Sequence, residues 1–139
     1  MKIALTIFGE PCSKANSREL VTIGGRPAFI KSKKALAYER DALLQIPALA
    51  RLMLQGPVRV TLRLFYVTER PDLDESIVLD VLQARYKKAK NGMPRVMVQR
   101  GVFVNDRQVR EKHVFHAIDK ALPRAEIEVE PLTEQQLAA

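Results

Sequence analysis

From Val58 to Val67 the chain alternates: Val58, Val60, Leu62 and Leu64 fall on one side, and Arg59, Thr61 and Arg63 on the other. Successive side chains of a strand point to opposite faces, so this pattern calls for a sheet with one buried face and one polar face. A second alternating stretch opens the chain, with Ile3, Leu5 and Ile7 together. Leu20–Ile23 and Ala28–Ile30 flank Gly24-Gly25-Arg26-Pro27 and read as a hairpin. Val109 to Ala117 and Ala125 to Glu130 read as a last pair of strands, and Val96 and Val98 allow a short hairpin before them.

Two helices interrupt the strands. Ser32 is a suitable N-cap for the first, expected to run to about Leu54 with a break or kink at Pro47. The second is expected from Glu75 to about Lys88, with Ile77, Val78, Val81 and Leu82 on its apolar stripe and Asp74 as its N-cap. The order of elements defines an α+β protein, a small mixed β-sheet with two main helices. The 139 residues suit one domain spanning 1–139, with a frayed tail over 133–139.

Lys and Arg number 23 against 16 acids, a net charge of +7 that favours a polyanionic partner, most simply nucleic acid, over a merely basic surface. A lone cysteine, Cys12, forms no internal disulfide and suits burial as a small apolar residue. The opening residues lack the pattern of a signal peptide, and no apolar run reaches the length of about 20 residues that spans a bilayer. A cytoplasmic protein with no membrane partner is the expectation.

Against that basic background, Asp72-Leu73-Asp74 follows the clearest strand, and Asp106 appears some thirty residues later in Val104-Asn105-Asp106-Arg107. In an extended segment Asp72 and Asp74 would face one point, with Leu73 turned to the core. Carboxylates held together repel unless a cation joins them, and oxygen donors with open positions suit Mg²⁺. Such an ion would activate water and stabilise the leaving oxygen of a phosphodiester. The plainer alternative is an N-cap, a solvated loop aspartate and, at Asn105-Asp106, ordinary turn chemistry. His113 and His116, three apart in a strand, face opposite sides and do not suggest a shared metal.

Arg70-Pro71-Asp72-Leu73-Asp74, the helix after it, and Gly101-Val102-Phe103-Val104-Asn105-Asp106-Arg107-Gln108-Val109 resemble the RusA-type Holliday junction resolvases. Phe8-Gly9-Glu10-Pro11-Cys12-Ser13-Lys14-Ala15-Asn16 is similar to the opening strand and loop of that family. Ser32-Lys33-Lys34-Ala35-Leu36-Ala37-Tyr38 is similar to the start of its first helix, and Ala125-Glu126-Ile127-Glu128-Val129 to its last strand. The likeness runs in order over nearly the whole chain.

It implies a RusA-like fold and a homodimeric, Mg²⁺-dependent endonuclease, with Mn²⁺ as a possible substitute. The substrate would be four-way or branched DNA in recombination and repair, and the setting a bacterial cell with a phage or prophage gene. By the resemblance, Asp72, Asp74 and Asp106 are the catalytic and metal-binding positions, and cleavage leaves 5′-phosphate and 3′-hydroxyl ends. Two positions depart from the pattern: Glu75 stands where the family has Asn, and Val78 where it has a helix lysine. Residues 84 to 100 also make a longer connection than the family's usual one.

The basic residues fall in groups: Lys14 and Arg18; Lys31, Lys33 and Lys34; Arg85, Lys87, Lys88 and Lys90; Arg95 and Arg100; Arg107, Arg110 and Lys112. A phosphate track is expected over Lys14, Asn16, Arg18, Lys33, Lys34, Arg70, Lys87, Lys88, Arg107 and Lys112. Lys87, Lys88 and Lys112 are the sources left for the missing helix charge. Phe29, Tyr38 and Phe103 are aromatics able to stack at a junction, with the core as the favoured place for each. Two other functions remain beside the nuclease: a branched-DNA-binding protein of the same fold with weak or lost cutting, and a general nucleic-acid-binding module whose aspartates are caps.

Overall fold

The computed structural model describes residues 1–138. Its central element is β4 (Val58–Tyr66), which shows the expected alternation of buried and more exposed residues. It lies inside a four-stranded sheet with β1 (Ile3–Phe8), β7 (Val109–Ile118) and β8 (Arg124–Pro131), in the order β1-β8-β4-β7. β8 runs antiparallel to both β1 and β4, whereas β7 runs parallel to β4. The last two strands are therefore not partners, because β4 separates them. The protein is α+β with a mixed main sheet, as expected.

One face of the sheet carries the core. Ile3, Leu5 and Ile7 of β1 meet Val58, Val60, Leu62, Leu64 and Tyr66 of β4 and Ala125, Ile127 and Val129 of β8. Helices α1 (Lys33–Gln45) and α2 (Ser76–Leu82) supply Ala42, Val78, Leu79, Val81 and Leu82 to the same cluster. The opposite face is laced by ion pairs, with Arg59 reaching Glu111 at 2.9 Å and Glu130 at 3.0 Å.

Local chemistry sets the ends of the helices. The Ser32 hydroxyl accepts the Ala35 N–H at 3.0 Å and caps α1 as expected. The helix stops at Gln45 rather than near Leu54, since Ile46 precedes Pro47 and is forced extended (φ −76°, ψ 116°). A short 3-10 turn at Ala48–Ala50 replaces the rest. α2 is also shorter than its apolar stripe suggests. The chain leaves it at Gln83 because the 82–84 backbone is drawn into pairing with the 102–103 segment. The Val102 N–H donates to the Leu82 carbonyl at 2.7 Å, and the Ala84 N–H to the Phe103 carbonyl at 3.1 Å. The residues expected at the helix's end instead form strand β5 (Arg85–Lys87), paired with β6 (Val96–Gln99).

The other hairpin, β2 (Arg18–Ile23) with β3 (Arg26–Lys31), turns on Gly24 and Gly25 at φ +58° and +78°. Positive φ at both positions suits a tight turn matched to the twist of the strands and explains the paired glycines. Helix α3 (Glu134–Ala138) ends the described chain and starts beside Thr133, whose hydroxyl accepts the Gln136 N–H at 3.2 Å. Among the described residues, no helix is long and apolar enough to cross a membrane.

Candidate active site

The site grows from the loop that leaves β4. At the strand's end the Tyr66 ring is fully buried and stacks on His116 of β7, with ring centroids 4.8 Å apart. Burial pushes the Tyr66 hydroxyl up to about 12. His116 Nε2 lies 3.1 Å from the Pro71 carbonyl, which fastens the loop to β7. On the loop's other side, the Lys14 N–H donates to the Asp72 carbonyl at 3.3 Å. Lys14 opens a 3-10 turn, Lys14–Asn16. That turn is tied to α1 by the Ser32 hydroxyl, which donates to the Asn16 carbonyl at 2.6 Å.

This double fastening gives the Asp-Leu-Asp tripeptide three environments. Asp72 is exposed, Leu73 packs against the core, and Asp74 is only 9% exposed. The segment is not part of a ladder, and the two aspartates differ in burial, with Asp72 exposed and Asp74 buried. Asp74 Oδ1 accepts both the Ser76 N–H at 3.0 Å and the Ser76 hydroxyl at 2.7 Å. Burial pushes this carboxyl up; the two Ser76 hydrogen bonds, the Ser17 hydroxyl and the Arg18 charge outweigh that and hold it below its ordinary value. Asp74 is thus an ionised, hydrogen-bonded carboxylate, and it receives the first N–H of α2 although Glu75 occupies the N-cap position.

Asp74 lines a surface depression with Lys14, Ser17, Arg18, Phe29, Leu73, Glu75 and Ser76. A second depression holds Asp106 with Leu79, Val109, Arg110 and Lys112. Between them runs an ion pair, Lys112 Nζ to Glu75 Oε1 at 2.7 Å. The Lys112 hydrogen bond holds the Glu75 carboxyl below its usual range. Lys112 shares its face of β7 with Val114, which packs on the core, and with His116. Val78 is 1% exposed in the core, so the position expected to carry a helix lysine cannot present one to solvent. Of Lys87, Lys88 and Lys112, it is Lys112 that stands beside the aspartates' depressions. Lys87 closes β5 in the separate β5–β6 hairpin, and Lys88 follows it.

Asp106 begins a 3-10 turn, Asp106–Gln108, closed by a capping box between Asn105 and Gln108. The Gln108 amide organises this turn. Its oxygen accepts the Val104 and Asn105 N–H groups at 2.8 and 2.9 Å. Its nitrogen donates to the Leu54 and Gly56 carbonyls, both at 2.8 Å. The Asp106 N–H donates to Gln83 Oε1 at 3.0 Å, which anchors the turn near the end of α2. Gln108 was not among the expected site residues, although its spacing from Asn105 is a capping-box signal.

The basic positions divide. Lys14 and Arg18 line the Asp74 depression and Lys112 borders that of Asp106. Lys33 and Lys34 begin α1, exposed, and Asn16 is tied to the helix through its carbonyl. Arg70 is exposed in the loop before Asp72. Arg107 folds back on the Asn105 side chain at 3.1 Å. Two other cations are structural: Lys31 bonds the nearly buried Glu39 at 2.6 Å and Asp80 at 3.2 Å, and Arg85 also bonds Glu39. Burial pushes the Glu39 carboxyl up, but its bonds to Lys31 and Arg85 hold it down. The aromatics divide too. Tyr38 packs against the core and Phe103 is fully buried, whereas Phe29, also expected in the core, is 75% exposed. Cys12 is buried, as expected.

Ionised carboxylates are the donor type Mg²⁺ takes. Their spacing does not close a set: among the described residues, no group of three or more His, Cys, Asp or Glu side chains is gathered to hold one metal ion. No family model matches the chain, and no curated protein matches it closely enough to stand as a relative.

Proposed function

We propose that this chain is a Mg²⁺-dependent, structure-selective endodeoxyribonuclease that resolves Holliday junctions and other branched DNA by paired nicks. In this reading it is a RusA-like homodimer in a bacterial cytoplasm, encoded by a phage or prophage. One observation carries the proposal: an ionised, nearly buried Asp74 lies in a depression with Lys14 and Arg18, and Lys112 is held beside it through Glu75. In a chain of net charge +7, cations around a fixed carboxylate are the arrangement for a phosphodiester held next to an acid.

The roles follow from the side chains. Lys14, Arg18 and Lys112 neutralise backbone phosphates without reading bases, as recognition of a branch by shape requires. Asp74, fixed by Ser76, offers a carboxylate at a defined place. Asp72, in the loop before Asp74, and Asp106, at the start of its 3-10 turn, are exposed and free to approach a phosphate or a cation that binds there. A two-fold dimer would present two such sites to a junction of near two-fold symmetry.

A branched-DNA-binding protein without cutting is the second reading. It is favoured by the commitment of Glu75 to Lys112 and by the lack, among the described residues, of three ligand side chains gathered for one metal ion. Purified wild type and Asp74→Asn are compared on a synthetic four-way junction with Mg²⁺. The proposal expects both to bind and only wild type to nick; nicking retained by Asp74→Asn removes Asp74 from the reaction.

A further inference from the structure

We propose that Phe29 is a stacking platform for an unstacked DNA base beside the phosphate held at the Asp74 depression. This rests on the nucleic-acid reading above and adds to it the feature of the substrate that is recognised: a base freed from its stack, as at a branch point.

The ring is large, apolar and 75% exposed, on a strand whose cross-strand partner, Leu20, is 61% exposed. Scattered exposed apolar residues are ordinary. This one differs in position, because Phe29 itself lines the depression that holds Asp74, Lys14 and Arg18. The pairing Arg18↔Lys31, Leu20↔Phe29 and Thr22↔Pro27 places these six residues on one face of the β2–β3 ribbon. Glu19, the ribbon's one acid, lies on the other face. The face therefore offers an aromatic plane beside the exposed Arg18, while Lys31 at its end is held by Glu39 and Asp80.

That combination fits a nucleotide: the phosphate meets the cations and the base meets the ring. Stacking tolerates every base, which suits recognition by structure rather than by sequence. Bases inside a continuous duplex are already stacked and unavailable, so the ring discriminates in favour of branches and single strands. A second copy of the chain is disfavoured as the occupant of this face, because a two-fold contact through it would set Arg18 and Lys14 against their own counterparts.

The chain has no tryptophan, so Phe29→Trp places a unique fluorophore on the face. The experiment measures binding of wild type, Phe29→Ala and Phe29→Trp to a synthetic four-way junction and to a linear duplex of the same sequence. It also records sedimentation and melting of each protein. Phe29→Ala is expected to weaken junction binding about ten-fold or more and duplex binding less than about two-fold. Phe29→Trp should retain tight junction binding, with its fluorescence quenched by the junction and not by the duplex. Melting should be unchanged, because the ring is exposed. Equal junction binding by wild type and Phe29→Ala, with no quenching in Phe29→Trp, overturns the stacking role and leaves the nuclease reading standing. A change of oligomeric state in Phe29→Ala overturns it in favour of a contact between copies. Failure of wild type to bind branched DNA removes the nuclease reading and this inference together.

Discussion

Gly101→Ala adds one carbon where three backbone atoms already stand. A Cβ at residue 101 would lie 2.4 Å from the Ala84 nitrogen, 2.4 Å from the Gln83 carbonyl carbon and 2.5 Å from the Phe103 carbonyl oxygen. None is the end of a flexible side chain, so the 101–103 segment has to separate from the 82–84 segment by roughly 1 Å to reach ordinary contact distance, and its own backbone has to turn the Phe103 carbonyl away. That movement strains three hydrogen bonds: Val102 to Leu82 at 2.7 Å, Ala84 to Phe103 at 3.1 Å and Met53 to Gly101 at 3.0 Å. Each contributes about 1 kcal/mol net. Val102 and Phe103 are both fully buried, and displacing them within a packed core costs a further ~1–3 kcal/mol. The expected loss is about 4–6 kcal/mol, large for a single methyl group. Urea unfolding followed by circular dichroism measures it, and a loss below about 1 kcal/mol would refute the close crossing of these segments. The consequence reaches the site, since Asp106 follows that segment by three residues.

The Glu75–Lys112 pair gives two variants of opposite sign. Lys112→Ala should weaken DNA binding and reduce the slope of log affinity against log salt by about one, whereas Glu75→Gln, which releases the lysine, should strengthen binding. Both should change stability by less than about 1 kcal/mol, because the pair is partly exposed and screened; equal weakening of DNA binding by both variants would contradict this assignment. Asp74 predicts an acid effect: its folded carboxyl lies below its ordinary value, so its contribution is full above that value and lost as pH falls through the lowered one. The stability gap between wild type and Asp74→Asn, about 1 kcal/mol at neutral pH, should hold from pH 7 to about 5 and close below about 4; a gap unchanged in strong acid would contradict it.

The strands and most turns were legible because they follow from short-range rules. Alternation marked β1 and β4, paired glycines marked the β2–β3 turn, and Ser32 marked the start of α1. The ends of both helices were less so. Pro47 was visible, but its neighbour's forced extension ended α1 outright. The end of α2 depended on a partner, the 102–103 segment, twenty residues away in sequence. Sheet order was likewise hidden, since nothing local tells β8 to lie between β1 and β4.

At the site, the tripeptide was visible but its division into exposed Asp72 and nearly buried Asp74 was not. That division comes from Lys14 and His116, which hold the loop from two other elements. The same holds for Lys112, whose nearness to Glu75 follows from the parallel register of β7 against β4 rather than from any motif. Phe29 escapes the general tendency of aromatics to be buried because its ribbon has two strands and an uncovered face.

The proposed cutting of branched DNA with a divalent metal is open to direct assay. Its most direct test is incubation of purified wild-type protein with an end-labelled synthetic four-way junction, with and without Mg²⁺, and a linear duplex as control. Paired nicks are expected in the junction only when Mg²⁺ is present, with the duplex left intact. Tight binding to the junction with no nicking at any Mg²⁺ or Mn²⁺ concentration would contradict the nuclease and leave the binding protein.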